Sequence, residues 1–128
     1  MMITAFFAGL LGLGYVLLTA NVIRTRRAAS VNLGDGGDEL LTRRIRAHGN
    51  FGEYVPIALI LMAFAELGGA PSFLIYILGV ALVLGRLMHG LALSTLTRRP
   101  AARVGGMILT LPVIGVAAVT CLIVAIAS

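Results

Sequence analysis

The sequence predicts an all-α integral membrane protein, a bundle of four transmembrane helices forming one domain over residues 1–128. Three observations predict it. Hydrophobic residues make up 59% of the chain and charged residues only 12%, against about 45–50% and about 25% in soluble domains. A chain of 128 residues with so few polar groups cannot build a water-facing shell. The apolar residues gather into four runs, each long enough to cross about 30 Å of hydrocarbon, and nine of the ten arginines sit in the loops between them.

The first run is residues 2–23, charge-free and closed by Arg24, Arg26 and Arg27. A cleaved signal peptide carries its positive charge before the apolar stretch, so this segment reads as a retained helix. Gly34-Asp35-Gly36-Gly37-Asp38-Glu39 forms the turn-rich centre of the first loop. The second helix is expected over residues 40–66. It begins polar, continues into the apolar run Tyr54 to Ala65, and contains Pro56, whose freed carbonyl neighbouring helices would cover. Gly68, Gly69 and Pro71 mark a short turn, and Pro71 suits the start of the third helix, expected over 72–96. Thr97-Arg98-Arg99-Pro100 makes the third loop, and the fourth helix is expected over 104–127.

Loops one and three hold the arginines and the loop around Gly68 holds none. The positive-inside rule therefore places loops one and three in the cytoplasm and both termini outside. This distribution also accounts for the net charge of +5 without nucleic acid as a partner. Cys121 is the single cysteine, which excludes an internal disulfide and a multi-cysteine metal site, and two histidines far apart with no cysteine partner make a weak case for zinc.

The charges inside the spans carry the functional signal, because an ionisable residue costs about 2.5–3.5 kcal/mol at the bilayer centre. Arg43, Arg46, Asn50 and Glu53 are spaced by three, four and three residues and share one face of the second helix. Arg86 and His89 share a face of the third. Rises of roughly 15 Å from Arg43 to Glu53 and roughly 18 Å from Arg98 to Arg86 bring Glu53 and Arg86 to one depth. An ion pair between them is expected, either as a register-fixing contact or as the deep end of a polar crevice that takes an anion. His48 faces away from this stripe, in a supporting or subunit-interface position. Gly9, Gly12, Gly14, Gly105, Gly106 and Gly115 are read as sites of close helix packing, and Cys121 as inert packing.

Arg43-Arg44-Ile45-Arg46-Ala47-His48-Gly49-Asn50-Phe51-Gly52-Glu53-Tyr54-Val55-Pro56 resembles the second-helix motif of the MAPEG family, the membrane-associated proteins in eicosanoid and glutathione metabolism. Gly85-Arg86-Leu87-Met88-His89 resembles its third-helix motif, and Pro100, Arg103 and Leu111-Pro112 fall where its third loop and fourth helix lie. The length and the Gly34–Gly37 loop are similar to its small bacterial branch. The resemblance implies a homotrimer in the bacterial inner membrane, with glutathione as cosubstrate at subunit interfaces. It implies a glutathione transferase or peroxidase acting on a lipophilic electrophile or peroxide. Arg43, Arg46, Asn50, Glu53, Arg86 and His89 would form the glutathione site, with Glu53 on the γ-glutamyl ammonium and Arg86 bracing Glu53. An Arg in the family's third loop favours the thiolate, a role that falls here to Arg103 because Ala102 occupies the aligned position. Leu93 replaces the Tyr of eicosanoid-forming members, and Gly49 and Gly106 replace larger contact residues. These departures point away from an eicosanoid substrate. They leave open a non-enzymatic membrane protein with a vestigial glutathione pocket.

Overall fold

The computed structural model describes residues 2–127; Met1 and Ser128, the ends of the predicted domain, lie outside the described residues. Four helices follow one another: α1 (Met2–Ala28), α2 (Glu39–Leu67), α3 (Ser72–Leu93) and α4 (Pro100–Ala127). Each is long and apolar enough to cross a membrane.

The helix ends differ from the sequence expectation for identifiable reasons. α1 continues past Ile23 through its three arginines to Ala28. Charge marks where the hydrocarbon stops, not where the helix stops, and cations favour the carbonyl end of a helix. Arg26 then reaches the following loop, where its Nη1 donates to the Gly34 carbonyl at 2.7 Å. Gly36 is required there. Its φ is +58°, and a Cβ would stand 2.6 Å from Val31 Cγ2. Asp38 caps α2 by accepting from the Leu41 N–H at 2.7 Å, an N-cap contact that satisfies one first-turn donor. Asp35 accepts from the Gly37 N–H and the Thr42 hydroxyl, and these bonds hold its carboxyl below the usual aspartate range.

α3 stops at Leu93, short of the expected residue 96, because its last carbonyls are claimed from the side. Arg43 Nη2 donates to the Ala92 carbonyl at 2.9 Å and Nε to that of Thr95 at 2.7 Å. Arg44 Nε donates to the Ser94 carbonyl and its Nη1 to Thr25 Oγ1. α4 begins at Pro100, earlier than the expected residue 104. Proline's fixed φ and missing N–H suit the first helical position.

α4 packs on α3 and α2, and α1 packs on α2 and α3; among the described residues α1 and α4 do not meet. The backbones of α3 and α4 approach closely, and a Cβ on Gly106 would lie 2.6 Å from the Gly85 carbonyl oxygen. Gly106 thus meets its expectation of close packing. Gly9, Gly12 and Gly115 do not: a Cβ there would meet nothing within 4 Å, and at Gly14 only Phe51 at 3.9 Å. Small residues permit close approach without causing it: nothing among the described residues stands opposite Gly9, Gly12 or Gly115, and Gly14 makes only an ordinary contact with α2. The expectation missed Gly68, which faces Val124, Gly85, which faces Gly106, and Gly79, against which the Phe7 ring lies flush.

The core runs through Phe7, Phe51, Met62, Ile75, Leu82 and Val113. Leu13, Leu17, Ile108 and Leu122 lie on the exposed surface, as lipid-facing residues should. Cys121 packs as expected, its thiol donating to the Leu61 carbonyl at 3.1 Å. At the end of the bundle away from the arginines, Glu66 accepts from the N–H groups of Ile3 and Thr4 at 3.1 and 2.9 Å and from the Thr4 hydroxyl at 2.6 Å. A carboxylate at the end of α2 therefore caps the start of α1.

Candidate functional site

α2, α3 and the start of α4 converge at the arginine-rich end of the bundle. Between them lies a crevice of about 360 Å³ lined by Thr42, Arg43, Arg46, Asn50, His89, Leu93 and Arg103. A second chamber of about 310 Å³ shares Arg43, Leu93 and Arg103 and adds Arg98, Arg99 and Pro100. Among the described residues, five arginines therefore line the two chambers, and no carboxylate does. The shared wall makes them compartments of one anion-attracting cleft. The first turn of α4 adds helix N–H groups and a partial positive charge at its mouth.

The structure brings Arg43, Arg46, Asn50 and His89 together, as the spacing predicts, and sets Arg103, the residue the resemblance singled out, beside them. Arg103, and not Ala102, faces both chambers. Leu93 lines both and presents no hydroxyl. Gly106 could not carry a larger residue, because a Cβ would also stand 2.8 Å from His89 Cβ. The glycine lets α3 and α4 close behind His89, which is 5% exposed.

The expected Glu53–Arg86 ion pair is not formed. Arg86 is 4% exposed and lies behind the crevice. Its Nη1 donates to Asn50 Oδ1 at 2.7 Å and its Nη2 to Thr110 Oγ1 at 2.8 Å, with Met107 Sδ at 3.4 Å. Its guanidinium also stands 5.9 Å from the centre of the Tyr54 ring, within cation–π range. Glu53 is instead 3.8 Å from Arg46 Nη1, with both side chains more than half exposed, a geometry worth little in stability. The depth estimate was sound and the rotation decided the outcome. Asn50 and Glu53 differ by about 60° around the helix, so Asn50 turns inward to Arg86 and Glu53 outward.

This arrangement assigns the Asn50 amide. Its oxygen is occupied by Arg86, so its NH₂ group is directed to other partners, and the crevice is what it lines. His48 lies on the opposite side of α2, as expected. Its ring stacks on Tyr15 at 4.5 Å, and its Nε2 is 3.1 Å from Thr19 Oγ1. The Thr19 hydroxyl proton goes to the Tyr15 carbonyl, so His48 Nε2 donates. Sequence reasoning missed Thr42, Thr110, Met107 and Tyr54. Thr110 carried the one available signal, a hydroxyl one turn beyond Gly106 in an apolar helix.

Fold and cleft define a class: a polytopic helical membrane protein with an arginine-lined cleft at one end of its four-helix bundle. The chain belongs to the MAPEG family, whose model matches residues 4–123. It is 43% identical over 88 residues, covering 69% of this chain and 67% of the relative, to the inner membrane protein YecN of Escherichia coli strain K12. The same identity and coverage hold for YecN of Escherichia coli O6:H1.

Proposed function

We propose that this protein binds glutathione in the arginine-lined cleft and acts as a glutathione transferase or glutathione-dependent peroxidase on a lipophilic substrate. The observation that carries the reading is the concentration of Arg43, Arg46, Asn50, His89 and Arg103 around about 360 Å³ without a lining carboxylate. The arginines offer charge-assisted bonds to the two carboxylates of the tripeptide. Asn50 offers its NH₂ group and Glu53 takes the γ-glutamyl ammonium. Arg43 is already bonded to the end of α3 and supplies field and shape more than a fresh donor. Arg86 acts by holding Asn50. Arg103, in the first turns of α4, faces the thiol. A thiol of pKa about 8.5 is mostly protonated at neutral pH, and an adjacent cation lowers that value.

Glu53 and Arg46 are 54% and 61% exposed on a helix that crosses the bilayer. Lipid cannot cover such a pair cheaply, whereas a neighbouring subunit can. This supports a homotrimer with glutathione at its interfaces, resident in the inner membrane like the relatives, with loops one and three cytoplasmic and both termini outside.

Isothermal titration of detergent-purified protein with glutathione tests the binding. Heat is expected for the wild type, with strong losses in Arg46→Ala and Glu53→Ala. No heat from the wild type up to several millimolar would sink the reading. A second reading, a binding protein without turnover, is favoured by Leu93 and Ala102. Turnover of 1-chloro-2,4-dinitrobenzene or cumene hydroperoxide above background separates the two.

A further inference from the structure

The end of α1 carries a second basic pocket, away from the cleft. The chain leaves the helix through Ser30, whose φ of +54° lies in the left-handed region, which serine seldom enters. The Ser30 and Val31 N–H groups donate to the carbonyls of Arg27 and Arg26 at 3.2 and 3.1 Å, so the chain reverses and residues 31–34 return beside the last turns of α1. Arg26 ties the return down by donating from Nη1 to the Gly34 carbonyl at 2.7 Å. Between helix and loop remains a pocket of about 440 Å³ lined by Ile23, Arg26, Arg27, Ser30, Val31 and Asn32.

The pocket changes character along the helix axis. Ile23 ends the charge-free run of α1 and is 45% exposed, which places it where hydrocarbon gives way to head groups. Arg26 and Arg27 lie about 5 Å further along, at the level of lipid phosphates. Among the described residues no carboxylate lines the pocket, and neither arginine has one within 4 Å. The nearby acids are engaged at the start of α2: Asp35 accepts from the Gly37 N–H and the Thr42 hydroxyl, and Asp38 from the Leu41 N–H. Leu33 follows Asn32 in the returning loop and is 91% exposed. Beside cations at a membrane surface, such a side chain settles at the boundary of head groups and acyl chains.

We propose that this pocket binds an anionic phospholipid, with its phosphate between Arg26 and Arg27, its head-group hydroxyls against Ser30 and Asn32, and its acyl chains passing Ile23. A guanidinium fork matches phosphate oxygens, and among the described residues Arg26 uses only Nη1 on the loop. A zwitterionic head group is disfavoured, because its ammonium would stand beside two cations with no carboxylate to receive it. Attraction of an anionic lipid is worth about fivefold for each arginine, or about twenty-five-fold for the pair. A free phosphate shares the head-group chemistry but offers Ile23 and Leu33 nothing to cover them. The site stands apart from the cleft and does not rest on glutathione binding.

The test uses the full chain, without glutathione, in nanodiscs of equal phosphatidylglycerol and phosphatidylcholine with matched acyl chains. Native mass spectrometry counts the lipids retained. The wild type should keep phosphatidylglycerol about twenty-five-fold more strongly, and Arg27→Gln should lower that preference about fivefold. Arg27 is exposed, so its replacement leaves the packing intact. Arg98→Gln removes an exposed charge from the same end of the bundle and should leave the preference within about twofold, since exposed charges beyond a Debye length are screened. Leu33→Ser should weaken retention of phosphatidylglycerol, and millimolar inorganic phosphate should not displace the lipid from the wild type. Equal retention of the two lipids overturns the proposal. So does a loss that is the same in both arginine variants, which would make the preference a property of the whole basic surface, or one that follows Arg98, which would put the lipid in the cleft. Displacement by millimolar phosphate, with Leu33→Ser silent, would make the ligand a soluble anion and overturn it too.

Discussion

Thr110→Val isolates the interaction that fixes Arg86. Thr110 is fully buried, and its hydroxyl accepts from Arg86 Nη2 at 2.8 Å while donating to the Gly106 carbonyl at 2.7 Å. Valine keeps the shape, so little cavity opens, but Nη2 is left with only the Met107 sulfur at 3.4 Å. Hydrogen bonds between membrane helices average about 0.6 kcal/mol and reach about 1.7. Bonds to charged groups are worth about 1.5–3 kcal/mol. A buried guanidinium belongs at the overlap, so the expected loss is about 1.5–1.7 kcal/mol, or roughly ten- to twentyfold in the folding equilibrium. The assay is unfolding in mixed micelles titrated with dodecyl sulfate and followed by circular dichroism. Thr110→Ser, which keeps the hydroxyl, should recover most of the loss. In an Arg86→Met background, Thr110→Val should be nearly neutral, because both partners are then apolar. A loss below about 0.5 kcal/mol in the Arg86 background would refute the reasoning, since the cation would then be satisfied without Thr110.

Glu66→Ala removes three acceptor contacts from the start of α1; the Ile3 and Thr4 amides should exchange hydrogen much faster, with those of mid-helix unchanged. Asp35 is held below its ordinary pKa, so the order it lends the first loop is complete above the unfolded value of about 3.9 and is lost as pH falls through the lower folded value. Protection of the Gly37 amide should drop in that acid window, and Asp35→Asn should flatten the profile. Gly106→Ala drives a methyl group into the Gly85 carbonyl and the His89 backbone, so it should cost about 1–3 kcal/mol by overpacking and weaken glutathione binding with it. Arg103→Ala should lower turnover at neutral pH far more than affinity for glutathione, with recovery at alkaline pH, whereas Arg98→Ala should act mildly; equal small effects remove Arg103 from the chemistry.

Hydropathy made the four spans legible, because burial in lipid leaves no other use for such long charge-free runs. Helix ends were less legible. α1 outruns the hydrocarbon on its own arginines, and α3 stops where Arg43 and Arg44 take its carbonyls, a tertiary event with no local trace. The same division holds at the site. Spacing placed Arg46, Asn50 and His89 beside one crevice, since residues on one helix face stay together. It could not decide which side chain of α2 Arg86 would choose. That depended on the rotation of α2 and on Thr110, contributed by a helix the stripe argument did not include. The helix-one glycines misled for a related reason: whether a small residue is a contact depends on what stands opposite.

The Glu66 contact bears on how the chain enters the membrane. α1 and α2 are joined at one end by Arg26 to the loop and Arg44 to Thr25, and at the other by Glu66 to Ile3 and Thr4. Every one of these partners precedes α3. The opening hairpin can therefore close as soon as residue 66 has left the ribosome, with its first-turn donors answered before the second hairpin is made. Arg86 has no such early partner in Thr110, which arrives with α4. The first hairpin thus answers its capping groups within itself, whereas the deeply buried Arg86 finds Asn50 waiting on α2 and completes its bonds only when the last span is in place.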